Sequence, residues 1–193
     1  MMMTTLAYIV VGFGILRLVI ATLNLLLQER LPQPRGRESL PSLSVLIPAR
    51  NEANNIEALL SDLTLVKSGC LIEIIVCDDA SEDSTAELVE TWMQRDSRIR
   101  LIYSSGPPSG WLGKNHACHL LSREARGEYL LFLDADVRLN PAFIERALSY
   151  ATTHRLGLLS LFPRQRMQTW AERVSVPNMH LILLSLLLLP SVR

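Results

Sequence analysis

The sequence lacks the excess of basic residues that a nucleic-acid-binding surface requires. Its 193 residues include 19 Lys and Arg against 19 Asp and Glu, so nucleic acid is not an expected partner. Cysteine is also scarce: Cys70, Cys77 and Cys118 form no C-x-x-C pair. This argues against a disulfide framework and fits a reducing compartment. Internal repeats and low-complexity tracts are missing as well, and the length suits one domain with its own core.

Long apolar runs are, by contrast, abundant. Hydrophobic residues make up 49% of the chain, and the run Leu6–Leu27 is long enough to cross a bilayer as a helix. Arg17 lies near its middle and would cost about 2.5–3.5 kcal/mol on insertion scales, unless it snorkels or pairs with another segment. The run has neither the positive start nor the small-residue cleavage site of a signal peptide. We expect a membrane anchor, with a helix lying in the interface as the alternative.

The segments on either side of this run predict an orientation and a division of the chain. Basic residues at positions 30, 35 and 37 follow the run, and positive residues stay inside. We therefore expect a single N-terminal anchor with the remaining chain in the cytoplasm. The predicted segments are an anchor (1–28), a linker (29–42), a domain (43–173) and an apolar end (174–193). The apolar run in this end, between Pro177 and Pro190, is too short to span a bilayer. It predicts an interfacial helix, a core helix, or an internal segment of a longer protein.

The middle of the chain alternates buried strands with amphipathic helices. Apolar runs predict the strands, except for the third strand, which is predicted from the alternation of polar and apolar residues. The spacing of Ile56, Leu59 and Leu63 predicts the first helix, and a capping box at Ser84–Glu87 predicts the start of the second. Two further helices are predicted over residues 115–126 and 140–154. This order is typical of an α/β domain with a mostly parallel sheet covered by helices on both faces. The predicted strands are Leu43–Ala49, Leu71–Cys77, Arg98–Ser104, Glu128–Leu133 and Leu156–Phe162.

Polar side chains follow three of the predicted strands. The first strand runs into "PARNE" (48–52), the second into Asp78 and Asp79, and the fourth into Asp134 and Asp136. In such sheets ligands bind beyond the carboxyl ends of the strands. Acidic groups gathered at one edge repel each other unless cations or hydrogen-bond donors offset them. The collection, more than any single motif, predicts a ligand site.

The pair Asp134 and Asp136 suits a divalent cation. In an extended segment positions i and i+2 point to the same side, and Mg²⁺ or Mn²⁺ is commonly held by one or two carboxylates plus phosphates. The alternative is a solvated turn. Asp79 can accept a hydrogen bond from a nucleobase or ribose, or it can form an Asx turn.

The segment "GWLGKNHA" (110–117) places glycines and Lys114 just before a helix. Glycines allow a ligand to approach the backbone, and the lysine offers positive charge for a phosphate, although the spacing is not that of a Walker A loop. The alternative is a flexible loop with a solvated lysine. His116 and His119 have no apparent third metal ligand and are read as structural.

Three ordered segments together resemble family 2 glycosyltransferases with a GT-A (Rossmann-like) fold. They are "SVLIPARNEANNIEALLSDL", "EIIVCDDASEDSTAELV" and "GKNHACHLLSREARGEYLLFLDADVRLNP". The resemblance implies a loop lining the nucleotide, a carboxylate that reads the base at Asp79, a basic residue at Lys114, and a DxD motif binding Mg²⁺ or Mn²⁺ through Asp134 and Asp136. The implied nucleotide-sugar site is Pro48, Ala49, Arg50, Glu52, Asp79, Lys114, Asp134 and Ala135.

The resemblance also implies a reaction. An inverting, metal-dependent enzyme would transfer a sugar from a nucleotide-diphosphate sugar, usually a UDP-sugar, to an acceptor. The anchor, "GWLGKNHA" and "PRQRMQTWAERVSVP" resemble the membrane-anchored subgroup that glycosylates lipids, including carotenoid- and hopanoid-associated members. This resemblance implies a lipid or polyprenoid-type acceptor. The family's general base lies well after the DxD, and neither Glu145 nor Glu172 has its context. We therefore expect a donor-binding half of an enzyme.

Two alternatives remain open from the sequence. A truncated nucleotide-sugar-binding module at the membrane would bind the donor with little or no transfer. A haloacid-dehalogenase-type phosphotransferase also carries a DxD after an apolar strand, but it needs Thr or Val where this chain has Arg138.

Overall fold

The computed structural model describes residues 2–27, 31–32, 39–161, 164–165, 167 and 169–187. They fall into two compact units, one within residues 31–158 and one within residues 1–30 and 159–193. In chain order the elements are α1 (Met2–Leu26), β1 (Leu43–Ala49), α2 (Ile56–Thr64), β2 (Leu71–Asp78), α3 (Thr85–Met93), β3 (Ile99–Tyr103), α4 (Gly113–Glu124), β4 (Tyr129–Phe132), α5 (Phe143–Thr153) and α6 (Trp170–Leu186).

Strands β1 to β4 of the larger unit form a sheet in the order β3-β2-β1-β4. Each adjacent pair is parallel, and parallel strands need crossover connections, which α2, α3 and α4 supply. The sheet confirms the predicted α/β class, and each of the four strands begins and ends within one residue of its predicted position. Because the strands are parallel, their carboxyl ends meet at one edge.

Both faces of the central strands are buried. On one face Ile47 and Val76 pack with Leu59 and Leu63 of α2. On the other face Leu46 and Ile75 pack with α4. All of these named side chains are inaccessible to solvent, and burying each contributes about 1.5–3 kcal/mol. Burial on both faces explains why β1 and β2 read as continuous apolar runs rather than alternating ones.

The predicted fifth strand, Leu156–Phe162, is wrong over the residues that the structure describes. Residues 156–161 form no strand, and the side chain of Leu158 is 87% exposed. An apolar run becomes a strand only where a neighbouring strand supplies partners for its backbone groups. No described strand pairs with this segment; Phe162 lies outside the described residues.

The predicted capping box at Ser84–Glu87 is also wrong. The Ser84 side chain makes no capping hydrogen bond. Instead the Asp83 carboxylate accepts hydrogen bonds from the backbone N–H and the hydroxyl of Thr85. The hydrogen bond from Thr85 lowers the pKa of Asp83 below its usual value. The residue before the N-cap position, Asp83, therefore accepts the N–H of the first helical residue, and its ionised carboxylate is a stronger acceptor than a serine hydroxyl.

The smaller unit pairs α1 with α6. By length and composition α1 can cross a membrane, with a mean hydropathy of 2.2. Arg17 donates two hydrogen bonds to the Ser185 hydroxyl, at 2.9 and 2.7 Å, so of the two alternatives left open for this arginine the structure shows pairing with another segment. The Asn24 amide donates to the carbonyl oxygens of Leu184 and Leu187, both at 2.6 Å. These contacts join two segments that are about 160 residues apart in sequence.

Helix α6 differs from the expected apolar end. It begins at Trp170 with a reciprocal capping box between Thr169 and Glu172. It then continues through Pro177, which the sequence analysis placed outside the apolar run. The helix also spans the predicted boundary between residues 173 and 174. Pro190 lies outside the described residues.

Candidate functional site

The carboxyl ends of β1, β2 and β4 border one open cleft of about 460 Å³. Strand register sets this arrangement, because Ala49 at the end of β1 lies opposite Asp78 at the end of β2. The backbone N–H of Asp79 donates to the Ala49 carbonyl at 2.8 Å. The volume is in the range of pockets that hold a small-molecule ligand. The cleft is lined by Pro48, Ala49, Arg50, Glu52, Asp79, Gly113, Lys114, Ala117, Asp134, Ala135 and Asp136.

All of the residues that the sequence placed at a nucleotide-sugar and metal site line this cleft. They come from four segments that the fold brings together: the end of β1 and its loop, the loop after β2, the start of α4, and the turn after β4. The cleft also includes Gly113 and Ala117, which the predicted set omitted. Both lie on one face of α4, four residues apart, and small residues at that spacing beside strand ends are the signal that identifies them.

The loops after β1 and β2 are tied to each other. The backbone N–H of Asn51 donates to the Ser81 hydroxyl at 3.0 Å, and the Asn51 side chain accepts from the N–H of Glu82 at 2.8 Å. The N–H of Glu52 donates to the Thr85 hydroxyl at 2.9 Å. Asn51 has a φ of 55°, a left-handed conformation that asparagine tolerates better than most residues. These bonds fix the backbone that carries Glu52 at the wall of the cleft.

Asp79 forms the buried part of the cleft. It is 6% exposed, and within the described part of the chain its carboxylate accepts no hydrogen bond. A Cβ built on Gly113 would lie 2.7 Å from Asp79 Oδ2, so the backbone at the start of α4 packs directly on the carboxylate. Only glycine permits this approach without displacement of Asp79. A buried acceptor next to open space is suited to a ligand N–H or O–H.

Asp134 and Asp136 lie just beyond β4. The strand ends at Phe132, and the pair belongs to a turn closed by the Val137 N–H on the Asp134 carbonyl at 3.2 Å. The extended geometry that the sequence predicted for the pair is therefore wrong, because the turn begins before the second aspartate. Both carboxylates are exposed and line the cleft, while Ala135 between them is 3% exposed.

Lys114 contacts the first of these aspartates. Its Nζ lies 2.6 Å from Asp134 Oδ1, and both side chains are more than half exposed. The hydrogen bond to Asp134 raises the pKa of Lys114, with a smaller contribution from the charge of Asp136. The cleft thus holds one lysine beside two carboxylates.

A divalent cation fits this donor set in one specific way. Among the described residues no group of three or more His, Cys, Asp and Glu side chains could hold a metal ion. Two carboxylate oxygens facing a common cleft leave most of a cation's coordination positions to water and ligand oxygens. The residues therefore suit a cation that arrives with a phosphate-bearing ligand, rather than a permanently caged ion.

His116 and His119 pack against Trp111, and Cys77 lies in the core. His116 is 8% exposed; its Nδ1 lies 3.4 Å from the Ser104 hydroxyl, and Trp111 packs edge-on against its ring. His119 also contacts the Trp111 ring. Cys77 is fully buried. Burial, with the charges of Asp79 and Asp78, raises the pKa of the Cys77 thiol to about 12, which excludes it as a nucleophile at neutral pH.

Comparison with known proteins places the chain in a family. Residues 44–187 match the profile described as Glycosyl transferase family 2. A 4,4'-diaponeurosporenoate glycosyltransferase of Staphylococcus haemolyticus is 35% identical over 131 residues, which cover 67% of this chain and 34% of that protein. A probable glycosyltransferase of Bacillus subtilis, YdaM, is 34% identical over 107 residues, 53% of this chain and 25% of that protein. The chain spans about a third or less of the length of these relatives.

Solved structures share the fold. A mannosyltransferase from Pyrobaculum calidifontis, in complex with GDP-Man and Mn²⁺, superimposes with a TM-score of 0.59 at 23% identity. The match covers 76% of this chain and 42% of that one. Residues 1–349 of S. aureus TarS give a TM-score of 0.51 at 24% identity, over 59% of this chain and 33% of that one. These likenesses confirm the predicted GT-A fold.

Proposed function

The chain belongs to glycosyl transferase family 2, and on that premise we propose that its cleft binds the nucleoside diphosphate of a sugar donor together with Mg²⁺ or Mn²⁺. The observation that carries the proposal is the placement of three chemically distinct groups around one cleft. Asp79 is a buried hydrogen-bond acceptor, Lys114 is a cation, and Asp134 and Asp136 are a carboxylate pair. A nucleobase, a diphosphate and a divalent cation need these three groups.

Each residue has a role in this proposal. The Asp79 carboxylate accepts a hydrogen bond from the base, most simply the imide N–H of uracil. Pro48, Ala49, Arg50 and Glu52 line the nucleotide from the loop after β1, and Ala135 lies beneath the diphosphate. Asp134 and Asp136 hold the cation. A cation bound there offsets the negative charge that develops on the departing diphosphate.

Complete turnover also requires a general base. Inversion at the sugar carbon requires a base that takes the proton of the attacking acceptor hydroxyl. Glu172 does not qualify, because its carboxylate accepts the backbone N–H of Thr169 at the start of α6. We propose that the whole protein transfers the sugar with inversion. If the 193-residue chain binds the donor without turnover, it acts as a nucleotide-sugar-binding module instead.

We further propose that the acceptor is lipid-like and that α1 anchors the protein in a membrane. The relative from Staphylococcus haemolyticus is named for a carotenoid-type acceptor, and α1 is long and apolar enough to span a bilayer. The basic residues after α1 favour a cytoplasmic catalytic domain. Labelling of single-cysteine variants in intact cells and in inverted vesicles tests this orientation. Labelling of the domain in intact cells by an impermeant reagent would contradict it.

Ligand binding to the full chain in detergent tests the proposed site. UDP and GDP are titrated with and without Mn²⁺, and stabilisation against thermal unfolding is recorded. At a free ligand concentration of 100 times Kd the expected gain is about 2.7 kcal/mol. We expect stabilisation that requires Mn²⁺ and that is lost in both Asp134→Asn and Asp136→Asn. Stabilisation that is equal with and without Mn²⁺, or unchanged in both variants, would contradict the proposal.

A matched control separates the site from general charge effects. Glu128 is exposed and lies just before β4, at the end of that strand that is away from the cleft. Glu128→Gln removes one negative charge without changing a residue of the cleft. It is expected to bind UDP and Mn²⁺ as the wild type does. Asp79→Asn is expected to weaken UDP binding at saturating Mn²⁺ while leaving binding of Mn²⁺ alone unchanged. Release of UDP from a UDP-sugar in the presence of lipid then distinguishes transfer from binding.

A further inference from the structure

The contact between Lys114 and Asp134 places a lysine on an oxygen atom that the proposed cation needs. Lys114 Nζ is 2.6 Å from Asp134 Oδ1, which is slightly below the about 2.7–2.9 Å that is usual between an ammonium group and a carboxylate. A divalent cation binds carboxylate oxygens at about 2.0–2.6 Å. An ammonium group and a divalent cation cannot both occupy this position, because they repel each other and compete for the same oxygen.

The ion pair is suited to displacement. Both side chains are exposed, at 62% for Lys114 and 59% for Asp134, and exposed ion pairs are weak. Lysine carries its charge on a flexible four-carbon stem. It is therefore able to leave Asp134 without any movement of the backbone of α4. By contrast, the Arg138–Asp62 pair that follows the same turn has two hydrogen bonds onto a buried carboxylate and is not suited to exchange.

The displaced ammonium gains a partner when the donor binds. Lys114 lines the same cleft as Asp134, Asp136, Glu52, Asp79 and the cationic Arg50. A cation bound by Asp134 and Asp136 offsets the charge of both carboxylates, which leaves the lysine without its counter-ion. A diphosphate in the cleft provides the negative charge that Lys114 then requires. The lysine is the second residue of α4, where the helix N-terminus also favours an anion.

We propose that Lys114 is an exchangeable counter-ion of Asp134, which the incoming cation displaces and which then binds the diphosphate. The inference rests on the proposed function, and it adds a linkage that the function alone does not require. In the metal-free protein Lys114 competes with the cation; in the loaded protein it strengthens diphosphate binding. Cation and nucleotide therefore bind with positive cooperativity.

The test uses Lys114→Gln, which removes the charge and keeps much of the length. Binding of Mn²⁺ alone to the full chain is measured by electron paramagnetic resonance of the free ion, and UDP binding is measured calorimetrically at saturating Mn²⁺. Lys114→Gln is expected to bind Mn²⁺ alone about two- to fivefold more tightly, as loss of a weak competing ion pair implies. The same variant is expected to bind UDP about tenfold more weakly, since it lacks a charged hydrogen bond to phosphate.

Two further variants make the result specific. Lys67 is an exposed lysine outside the cleft, and Lys67→Gln is expected to change neither affinity. Lys114→Arg retains the charge and is expected to bind Mn²⁺ alone as the wild type does. Unchanged or weaker Mn²⁺ binding by Lys114→Gln would overturn the inference, as would unchanged UDP binding. If this happens while Asp136→Asn still abolishes Mn²⁺-dependent UDP binding, the proposed function survives and only the exchange is wrong.

Discussion

Arg138 and Asp62 join the turn that carries the aspartate pair to helix α2. The guanidinium donates to both carboxylate oxygens of Asp62, at 2.7 and 2.8 Å. The backbone N–H of Leu139 donates to the same carboxylate at 2.9 Å. Asp62 is 9% exposed, so this acceptor is fixed within the packing of α2. Two successive residues beyond Asp136, Arg138 and Leu139, are thereby hydrogen-bonded to helix α2.

Removal of the Asp62 carboxylate should therefore affect both stability and the cleft. For Asp62→Ala we expect a loss of about 1–3 kcal/mol in the free energy of unfolding, since hydrogen bonds from a charged donor and a backbone N–H are lost. Urea denaturation of the full chain measures this loss. Lys67→Ala, at an exposed position shortly after the same helix, is the control and should change stability by less than about 0.5 kcal/mol.

The same substitution should weaken Mn²⁺ binding, because Asp136 then lies in a less constrained turn. Mn²⁺ binding is measured without urea, at a temperature where Asp62→Ala is fully folded. UDP binding at saturating Mn²⁺ is measured under the same conditions. If Asp62→Ala loses stability but binds Mn²⁺ as the wild type does, the hydrogen bonds from Arg138 and Leu139 to Asp62 support the fold and do not position Asp136.

Gly113→Ala should impair the site through a steric effect on one side chain. The new Cβ would lie 2.7 Å from Asp79 Oδ2, which is closer than any normal contact, so Asp79 or the start of α4 must shift. We expect UDP affinity at saturating Mn²⁺ to fall about tenfold or more, equivalent to about 1.4 kcal/mol. Calorimetry measures the affinity.

A second glycine supplies the control for this substitution. No heavy atom lies within 4 Å of a Cβ built on Gly69, so Gly69→Ala should leave UDP binding unchanged. Equal behaviour of the two alanine variants would show that the close approach of Gly113 to Asp79 has no role in binding.

Glu73 should make the stability of the domain depend on pH. It is 5% exposed; burial tends to raise its pKa, but hydrogen bonds from the Ser44 hydroxyl, the Arg126 backbone N–H and Arg100 outweigh burial and lower it. A carboxyl whose folded pKa is lowered contributes stability above its unfolded pKa of about 4.3. That contribution is lost as the pH falls through the lower, folded pKa.

The prediction is checked by urea denaturation between pH 7 and pH 3. Glu73→Gln should cost about 1–3 kcal/mol at pH 7, since a buried ionic acceptor is replaced. The difference between wild type and variant should shrink as the pH falls below about 4.3. A difference that stays constant to pH 3 would show that the charge of Glu73 does not contribute.

Asn24 should stabilise the C-terminal end of α6. Its amide donates to the Leu184 and Leu187 carbonyl oxygens, two of the groups that a helix end leaves without partners. We expect Asn24→Leu to increase hydrogen exchange in α6 peptides, with a loss of about 0.6 kcal/mol per interhelical bond in a membrane environment. Thr22→Leu is the control, because its hydroxyl bonds only to Leu18 of its own helix. Equal exchange in both variants would contradict the prediction.

The sequence predicted those features that depend on local patterns and chain order. Continuous apolar runs predicted β1, β2 and β4, and the alternation of polar and apolar residues over Arg98–Ser104 predicted β3. The runs of β1 and β2 are continuous because both faces of these central strands are buried. The parallel arrangement then requires that the segments after Ala49, Asp78 and Phe132 meet at one edge. Hence the sequence predicted which residues line the cleft, but it did not predict the distances between their side chains.

Features that depend on distant partners could not be predicted. The run at Leu158 resembles a strand, but strand formation needs a neighbour, and no sequence pattern shows whether one is present. Asp83, and not Ser84, accepts the first N–H of α3, and its carboxylate also accepts the Ala53 N–H from another loop, at 3.1 Å. The contact of Lys114 with Asp134 depends on side-chain positions across the cleft. In each case the deciding partner lies far away in sequence.

The bonds that tie the loops after β1 and β2 have a consequence for engineering donor preference. Asn51 pairs with Ser81 and Glu82, and the hydrogen bonds run in both directions between the loops. Transplanting only one loop from a homologue would leave donors and acceptors of the other unmatched. Chimeras that exchange both loops as a linked pair should fold, whereas single-loop chimeras should express poorly.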